Sequence, residues 1–250
     1  MKNTEFSYGY HVVKSILQTR PQDVIKLYVL TTRNDKRVSE IILLAEKNKI
    51  AYHAFNKTEL NKLIGENKNH QGVIIECKST HETSEAELIN LIANKKSAVI
   101  LILDGIQDPH NLGACLRSAN AFGVDAVIIP KDRSARLTEV AKKAASGAAE
   151  ITPLITVTNL NRIIQQLQKI GVWFVGLDSK ANLNIAEIDM KGSIGIIMGG
   201  EGQGLRRLTR ETCDYLAKIS MSGNVGSLNV SVATGITLYE MQRQRHGEKR

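Results

Sequence analysis

The sequence predicts an α/β protein in two parts, a small mixed unit followed by a larger unit built on a parallel sheet. Three observations carry this. Helix-like and strand-like stretches alternate through the first eighty residues, Ala98–Leu103 is an unbroken apolar run, and a polar stretch separates the two regions. An unbroken apolar run is what a strand buried on both faces requires, and such strands belong to parallel sheets covered by helices.

In the first part, Val12, Val13, Ile16 and Leu17 recur at helical spacing. Lys26–Thr31 reads as a strand through Leu27, Val29 and Leu30, and Val38–Lys47 as a second helix. Further strands fit Ile50–Ala54 and Gly72–Cys77, with a helix after Asn56 that caps at Thr58 and carries Leu60, Leu63 and Ile64. From Lys78 to Lys96 the chain turns polar, which predicts a linker over residues 80–96 between domains at 1–79 and 97–250. The second part offers strands at Ala98–Leu103, Ala126–Pro130, Gly171–Gly176, Ser193–Met198 and Leu216–Ile219. Between them, Leu160, Ile163, Ile164, Leu167 and Ile170 mark a helix with one apolar face. A closing helix should run to about Met241.

Composition narrows the partners. The 250 residues carry a net charge of +8 with a pI near 9.4, which favours a polyanion because lysine and arginine release condensed counterions when they neutralise phosphates. Residues 1–79 hold 13 Lys and Arg against 8 Asp and Glu, and the rest 20 against 17, so the smaller domain is the expected RNA-docking module. Aromatics make up 4%, sparse for a protein that grips single strands by stacking, so backbone and shape contacts fit better. Cys77, Cys115 and Cys213 are odd in number and far apart, which points to a reducing, cytoplasmic setting. No segment has the length and apolarity of a membrane span or an export signal, so no membrane partner is expected. Cys77 and His81 lack two further close ligands, and no metal is expected.

Three loops could hold chemistry, each after an apolar strand. The first, Asp104–Arg117, leads into a helix that Asn111 could cap, with Arg117 nearly two turns in. Read locally, Arg117 is as easily a solvated surface residue. The second, Gly199–Leu205, is glycine-rich but lacks the GxGxxG register and a Walker lysine, and Glu201 would repel phosphate. It suits a ligand with a cationic or neutral face, while the plainer alternative is a tight connection with Glu201 favouring a helix N-terminus. The third, Ile219–Ser231, is rich in glycine and small polar residues, and Ser227 is most simply an N-cap.

The set and its order resemble the SpoU branch of the SPOUT RNA methyltransferases. The resemblance rests on NxGxxxR as Asn111, Gly113 and Arg117, on GxExxG as Gly199, Glu201 and Gly204, and on SLNVSVA as Ser227 to Ala233. One departure is Ile219-Ser220-Met221, where family members often read Ile-Pro-Met; losing the fixed φ of proline loosens that turn but removes no polar contact. The resemblance implies an L30e-like substrate-binding domain, then a catalytic domain with a C-terminal trefoil knot, acting as a homodimer. It further implies 2′-O-methylation of a guanosine ribose in 23S rRNA, on the RNA or on a large-subunit assembly intermediate, with S-adenosylmethionine as donor. Arg117 would activate the hydroxyl, with Asn111, Glu201, Ser227 and Asn229 shaping the site and Gly199, Ile219 and Leu228 contacting the donor.

Guanidinium is an implausible general base, so two roles for Arg117 stay open: proton acceptor in an unusual site, or fixed cation that holds a phosphate and steadies a developing alkoxide. Rival readings are the same chemistry on tRNA or another rRNA site, a non-catalytic RNA-binding or ribosome-assembly protein, and a nucleotide-binding α/β protein. Missing phosphate-loop registers weigh against the last, and the intact set Asn111, Arg117, Glu201, Ser227 and Asn229 against the second.

Overall fold

The computed structural model describes residues 4–31, 35–66, 68–78 and 83–247, and the chain forms two compact units. The first comprises Met1–His81 with Ser146–Ile151, the second Glu82–Ala145 with Thr152–Arg250.

The first unit runs β1 (Thr4–Tyr8), α1 (Tyr10–Thr19), β2 (Val24–Leu30), α2 (Lys36–Lys47), β3 (Tyr52–Phe55), α3 (Lys57–Ile64) and β4 (Val73–Lys78), with sheet order β1-β4-β2-β3. Alternation in β2 decides its faces: Leu27 and Val29 join Val13, Ile16 and Leu17 of α1 and Val38, Ile41 and Ala45 of α2, while Tyr28 turns to the other face against Leu60 of α3. Two expectations change here. The cap of α3 is Asn56, not Thr58: its side chain accepts from the Glu59 N–H at 2.9 Å, and Glu59 returns a bond to the Asn56 N–H, closing a capping box. β1 was not anticipated, because Thr4–Tyr8 has little apolar pattern; its pairing with β4 makes it a strand.

Ser146–Ile151, which the sequence reading placed within the second domain, packs in the first unit. Arg20 and Glu150 form an ion pair at 2.5 Å with both side chains nearly buried. Gly147 lies in the left-handed region at φ +90°, and a side chain there would stand 3.0 Å from the His11 carbonyl oxygen.

The second unit runs α4 (Glu85–Ala93), β5 (Val99–Asp104), α5 (Pro109–Ala121), β6 (Ala126–Pro130), α6 (Glu139–Ala145), β7 (Leu154–Val157), α7 (Leu160–Gln168), β8 (Trp173–Leu177), β9 (Leu183–Asn184), β10 (Ile194–Gly199), α8 (Arg207–Thr212), β11 (Tyr215–Lys218) and α9 (Val230–His246). All seven strands are parallel, in the order β7-β6-β5-β10-β8-β11-β9. β5 is buried along its whole length, as its apolar run requires. Leu88 and Ile92 of α4 and Leu160, Ile163, Ile164 and Leu167 of α7 cover one face of the sheet. α6 and α9 both pack on α5.

The stretch read as a linker therefore contains α4. Ser84 and Glu87 form its capping box, and its polar character belongs to the cap and the exposed side, while Leu88 and Ile92 reach the core. The expected boundary at residues 79 and 80, and His81, lie outside the described residues. β7 and β9, which the sequence reading left out, are four and two residues long and are set by pairing rather than by pattern. Among the described residues no helix is long and apolar enough to cross a membrane.

Gly195 sits in β10 between β5 and β8, and a Cβ there would stand 2.1 Å from the ring of Phe174, which is fully buried. Gly195→Ala is expected to cost about 1–3 kcal/mol by overpacking, read as a lower urea midpoint at unchanged slope. A midpoint at or above that of the parent would show that the Phe174 ring has room to move.

Candidate active site

The strand order reverses direction between β5 and the β10–β8 pair: the chain leaves β5 for β6 and β7 on one side and resumes at β8 on the other. In open parallel sheets that reversal leaves a crevice beyond the carboxyl ends of the strands. Here it is bordered by the loops after β5, β8, β10 and β11.

The glycine loop folds back on itself. Gly200 and Gly204 form an antiparallel bridge with the Gly204 N–H donating to the Gly200 carbonyl at 3.0 Å, and Gly202 takes φ +77°. Gly199, paired with Asp104 across the sheet, has the Gly204 carbonyl carbon 2.2 Å and the Leu205 nitrogen 2.4 Å from where a Cβ would stand. Backbone on both sides leaves room only for glycine. Glu201 therefore lies in a turn six residues before α8 and does not serve that helix's N-terminus.

Two capping expectations are corrected by the same geometry. Asp108 caps α5, accepting from the His110 N–H at 2.8 Å, so Asn111 lies inside the first turn with its side chain free for other partners. Asn229 caps α9, accepting from the Ser231 N–H at 2.9 Å and its hydroxyl at 2.6 Å, so Ser227 precedes the cap. Asn111 is buried; its amide donates to the Glu201 carboxylate, and its oxygen accepts from Asn229 Nδ2 at 3.1 Å. One chain of hydrogen bonds, Glu201–Asn111–Asn229–Ser231, thus ties together the three loops the sequence had singled out.

Beside it opens a cavity of about 640 Å³. Gly199, Glu201, Ile219, Ser227, Leu228 and Asn229 all line it; Asn111 and Arg117 do not. Ile219 and Leu228 are half-buried and line this space, although core packing was their plainer reading. Arg117 is exposed on α5, six residues from Asn111 and so well round the helix from it. Cys115, between them, faces α9 with its sulfur 3.4 Å from the Thr234 hydroxyl, and burial pushes its thiol up to about 11, which fits a packing role.

The sequence reading missed Asp178 and Arg210. Asp178 follows β8, lines the cavity, and is held at 2.5 Å by Arg210, which also lines it. Asp178 carries a signal that was available, a carboxylate directly after an apolar strand; Arg210, within α8, carries none. Apolar Leu177, Met198, Ile219 and Leu228, with Glu201 and Asp178 beside Lys180, Arg210 and Lys218, suit a ligand with an apolar body and polar, charged ends, and the volume is that of a small-molecule site. Among the described residues no group of three or more His, Cys, Asp or Glu could hold a metal ion.

Comparison with known proteins gives consistent matches. Residues 98–239 match the SpoU rRNA Methylase family and residues 6–83 the family described as RNA 2′-O ribose methyltransferase substrate binding. The chain is 51% identical to the 23S rRNA (guanosine-2′-O-)-methyltransferase RlmB of Coxiella burnetii, covering 98% of each chain. It is 45% identical to the protein of the same name from Vibrio parahaemolyticus, covering 99% of this chain and 100% of that one. Among solved structures, the SpoU methyltransferase AviRb of Streptomyces viridochromogenes in complex with AdoMet superposes with a TM-score of 0.75 at 21% identity, over 97% of this chain and 90% of that one.

Proposed function

Because the chain belongs to the SpoU rRNA methylase family, we propose that it transfers a methyl group from S-adenosylmethionine to the 2′-hydroxyl of a guanosine ribose in 23S rRNA. The observation that carries the reading is the hydrogen-bond chain Glu201–Asn111–Asn229, which joins residues of three separate motifs, two of them lining one cavity.

The cavity fits the donor in its chemistry. Leu177, Met198, Ile219 and Leu228 offer apolar surface, the glycine loop offers backbone groups at close approach, and Glu201 and Asp178 stand among the cations Lys180, Arg210 and Lys218, so the lining offers partners for both charges of a zwitterionic donor. When bound, S-adenosylmethionine supplies the electrophilic methyl. The chain's own residues must then hold the ribose in line and assist loss of the hydroxyl proton, since an alcohol is a weak nucleophile. Asn111 is acceptor and donor at once and fixes the glycine loop against the head of α9. Arg117 is exposed to solvent, within reach of an arriving substrate, which supports its acting as a cation that pairs with a substrate phosphate or a developing alkoxide.

The homodimer belongs to the same reading. Val232, Ile236 and Tyr239 of α9 are exposed at spacings of four and three residues, a stripe on the side away from the buried Thr234, Leu238 and Met241. α9 packs on α5, the helix that carries Arg117. The more basic first unit supplies the rRNA contacts, on free 23S rRNA or on a large-subunit assembly intermediate, and this substrate places the reaction in the cytoplasm.

The test is methyl transfer from labelled S-adenosylmethionine into separate pools of large-subunit rRNA, small-subunit rRNA and tRNA, with nuclease mapping of the product. Labelled 2′-O-methylguanosine in the large-subunit pool is the expected result. Label confined to tRNA would keep the chemistry and replace the substrate. No label in any pool, with donor binding intact, would point to an assembly-intermediate substrate or to a non-catalytic binding protein, and label on isolated large-subunit intermediates would separate the two.

A further inference from the structure

β5, β6 and β10 are parallel, so the loop after β6 opens along the same edge of the sheet as the loops of the crevice. Residues 131–136 of that loop read Lys-Asp-Arg-Ser-Ala-Arg. Lys131, Arg133 and Arg136 are exposed, and none of the three side chains has an ion-pair partner among the described residues. A run of cations on a surface loop is ordinarily solvated decoration on a segment free to move. This loop is held instead.

The Ala135 N–H donates to the Ile106 carbonyl at 2.7 Å, tying the loop to the one that follows β5. The Arg206 guanidinium lies 3.2 Å from the Asp104 carboxylate, whose side chain has no exposed surface, and donates to the Asp132 carbonyl at 3.3 Å. Gly105, at φ +86°, supplies the left-handed turn beside Arg206 that a side-chain-bearing residue would hold only under strain. Arg206 thus spends its charge on a buried carboxylate and pins the loop, leaving the three loop cations unneutralised. Arg133 itself adopts φ +58°, a conformation non-glycine residues keep only where the surroundings impose it and one that gathers at functional sites.

We infer that residues 131–136 form a phosphate-binding rim that holds the RNA backbone flanking the methylated ribose, with Arg206 as its positioning residue. The inference rests on the RNA methyltransferase reading above. Cations on a fixed loop pay less ordering entropy on binding than cations on a mobile one. Contacts of this kind set register on the RNA without choosing the base.

The test uses the full chain with Lys131→Gln, Arg133→Gln and Arg136→Gln combined, measuring binding to large-subunit rRNA across a KCl series. Affinity near 0.15 M salt should fall on the order of 10- to 100-fold, and the slope of log K against log[KCl] should shrink by about 2, as expected for losing about three phosphate contacts. Binding of S-adenosylmethionine alone should be unchanged. A second variant, Arg133→Lys with Arg136→Lys, keeps the charges and should keep the slope even if the triple variant misfolds. A parental slope in a triple variant that still binds donor overturns the rim, as does a lysine variant that loses the slope. A parent chain that binds this RNA but methylates neither it nor a large-subunit assembly intermediate would sink the enzymatic reading while the slope comparison still decides the rim; a parent with no salt-dependent binding overturns the rim too.

Discussion

Arg117→Ala is expected to lower kcat for methyl transfer by about 10²- to 10⁴-fold, the range for losing a group that acts on a developing charge or a transferred proton. Donor affinity should stay at the parental value, because Arg117 does not line the cavity. Stability should change by no more than about 0.5 kcal/mol, as for other exposed side chains without a structural partner. Arg117→Lys separates the two roles. If the residue acts as a cation, the lysine variant keeps part of its activity across neutral pH and loses it as the ammonium deprotonates towards a pH of about 10. If it accepts the proton, the rate instead climbs over that interval, since only the neutral amine can act. An alanine variant with parental kcat would remove Arg117 from the reaction.

Gly199→Ala should abolish donor binding in practice, weakening it at least about 100-fold, or about 2.7 kcal/mol. The new methyl would stand 2.2 Å from the Gly204 carbonyl carbon and 2.4 Å from the Leu205 nitrogen. Neither is the end of a side chain that could swing away, so the fold-back between Gly200 and Gly204 must open and carry Glu201 off Asn111. Gly223→Ala is the control, because nothing lies within 4 Å of its added Cβ; donor titration calorimetry should find it close to the parent. Equal affinities for Gly199→Ala and the parent would mean that the loop's closed form is not what the donor meets.

The sequence by itself determined the sheet-forming segments of the second unit and the loops that matter. A strand covered on both faces must be apolar throughout, as β5 is, and a helix against a sheet must repeat its apolar residues at 3.6, as α7 does. These are local consequences of burial, so they are written locally. The three loops were legible for the same reason: each follows such a strand, and their residue types departed from what a mere connection needs.

Tertiary structure decided what depends on distant partners. Thr4–Tyr8 is a strand because β4 offers it an edge, and Ser146–Ile151 packs in the first unit because Glu150 meets Arg20, 130 residues away in the chain. Ser227 and Asn111 looked like caps because either can accept an N–H; Asn229 and Asp108 take that role, which leaves Asn111 to join Glu201 and Asn229, 90 and 118 residues away in sequence. Asp178 and Arg210 entered the site only when the ends of β8 and β10 were seen to face one cavity. Periodicity records which side of an element is buried. The pairing of polar groups across the fold is fixed only once the backbone has brought them within about 3 Å, and no local pattern carries that distance.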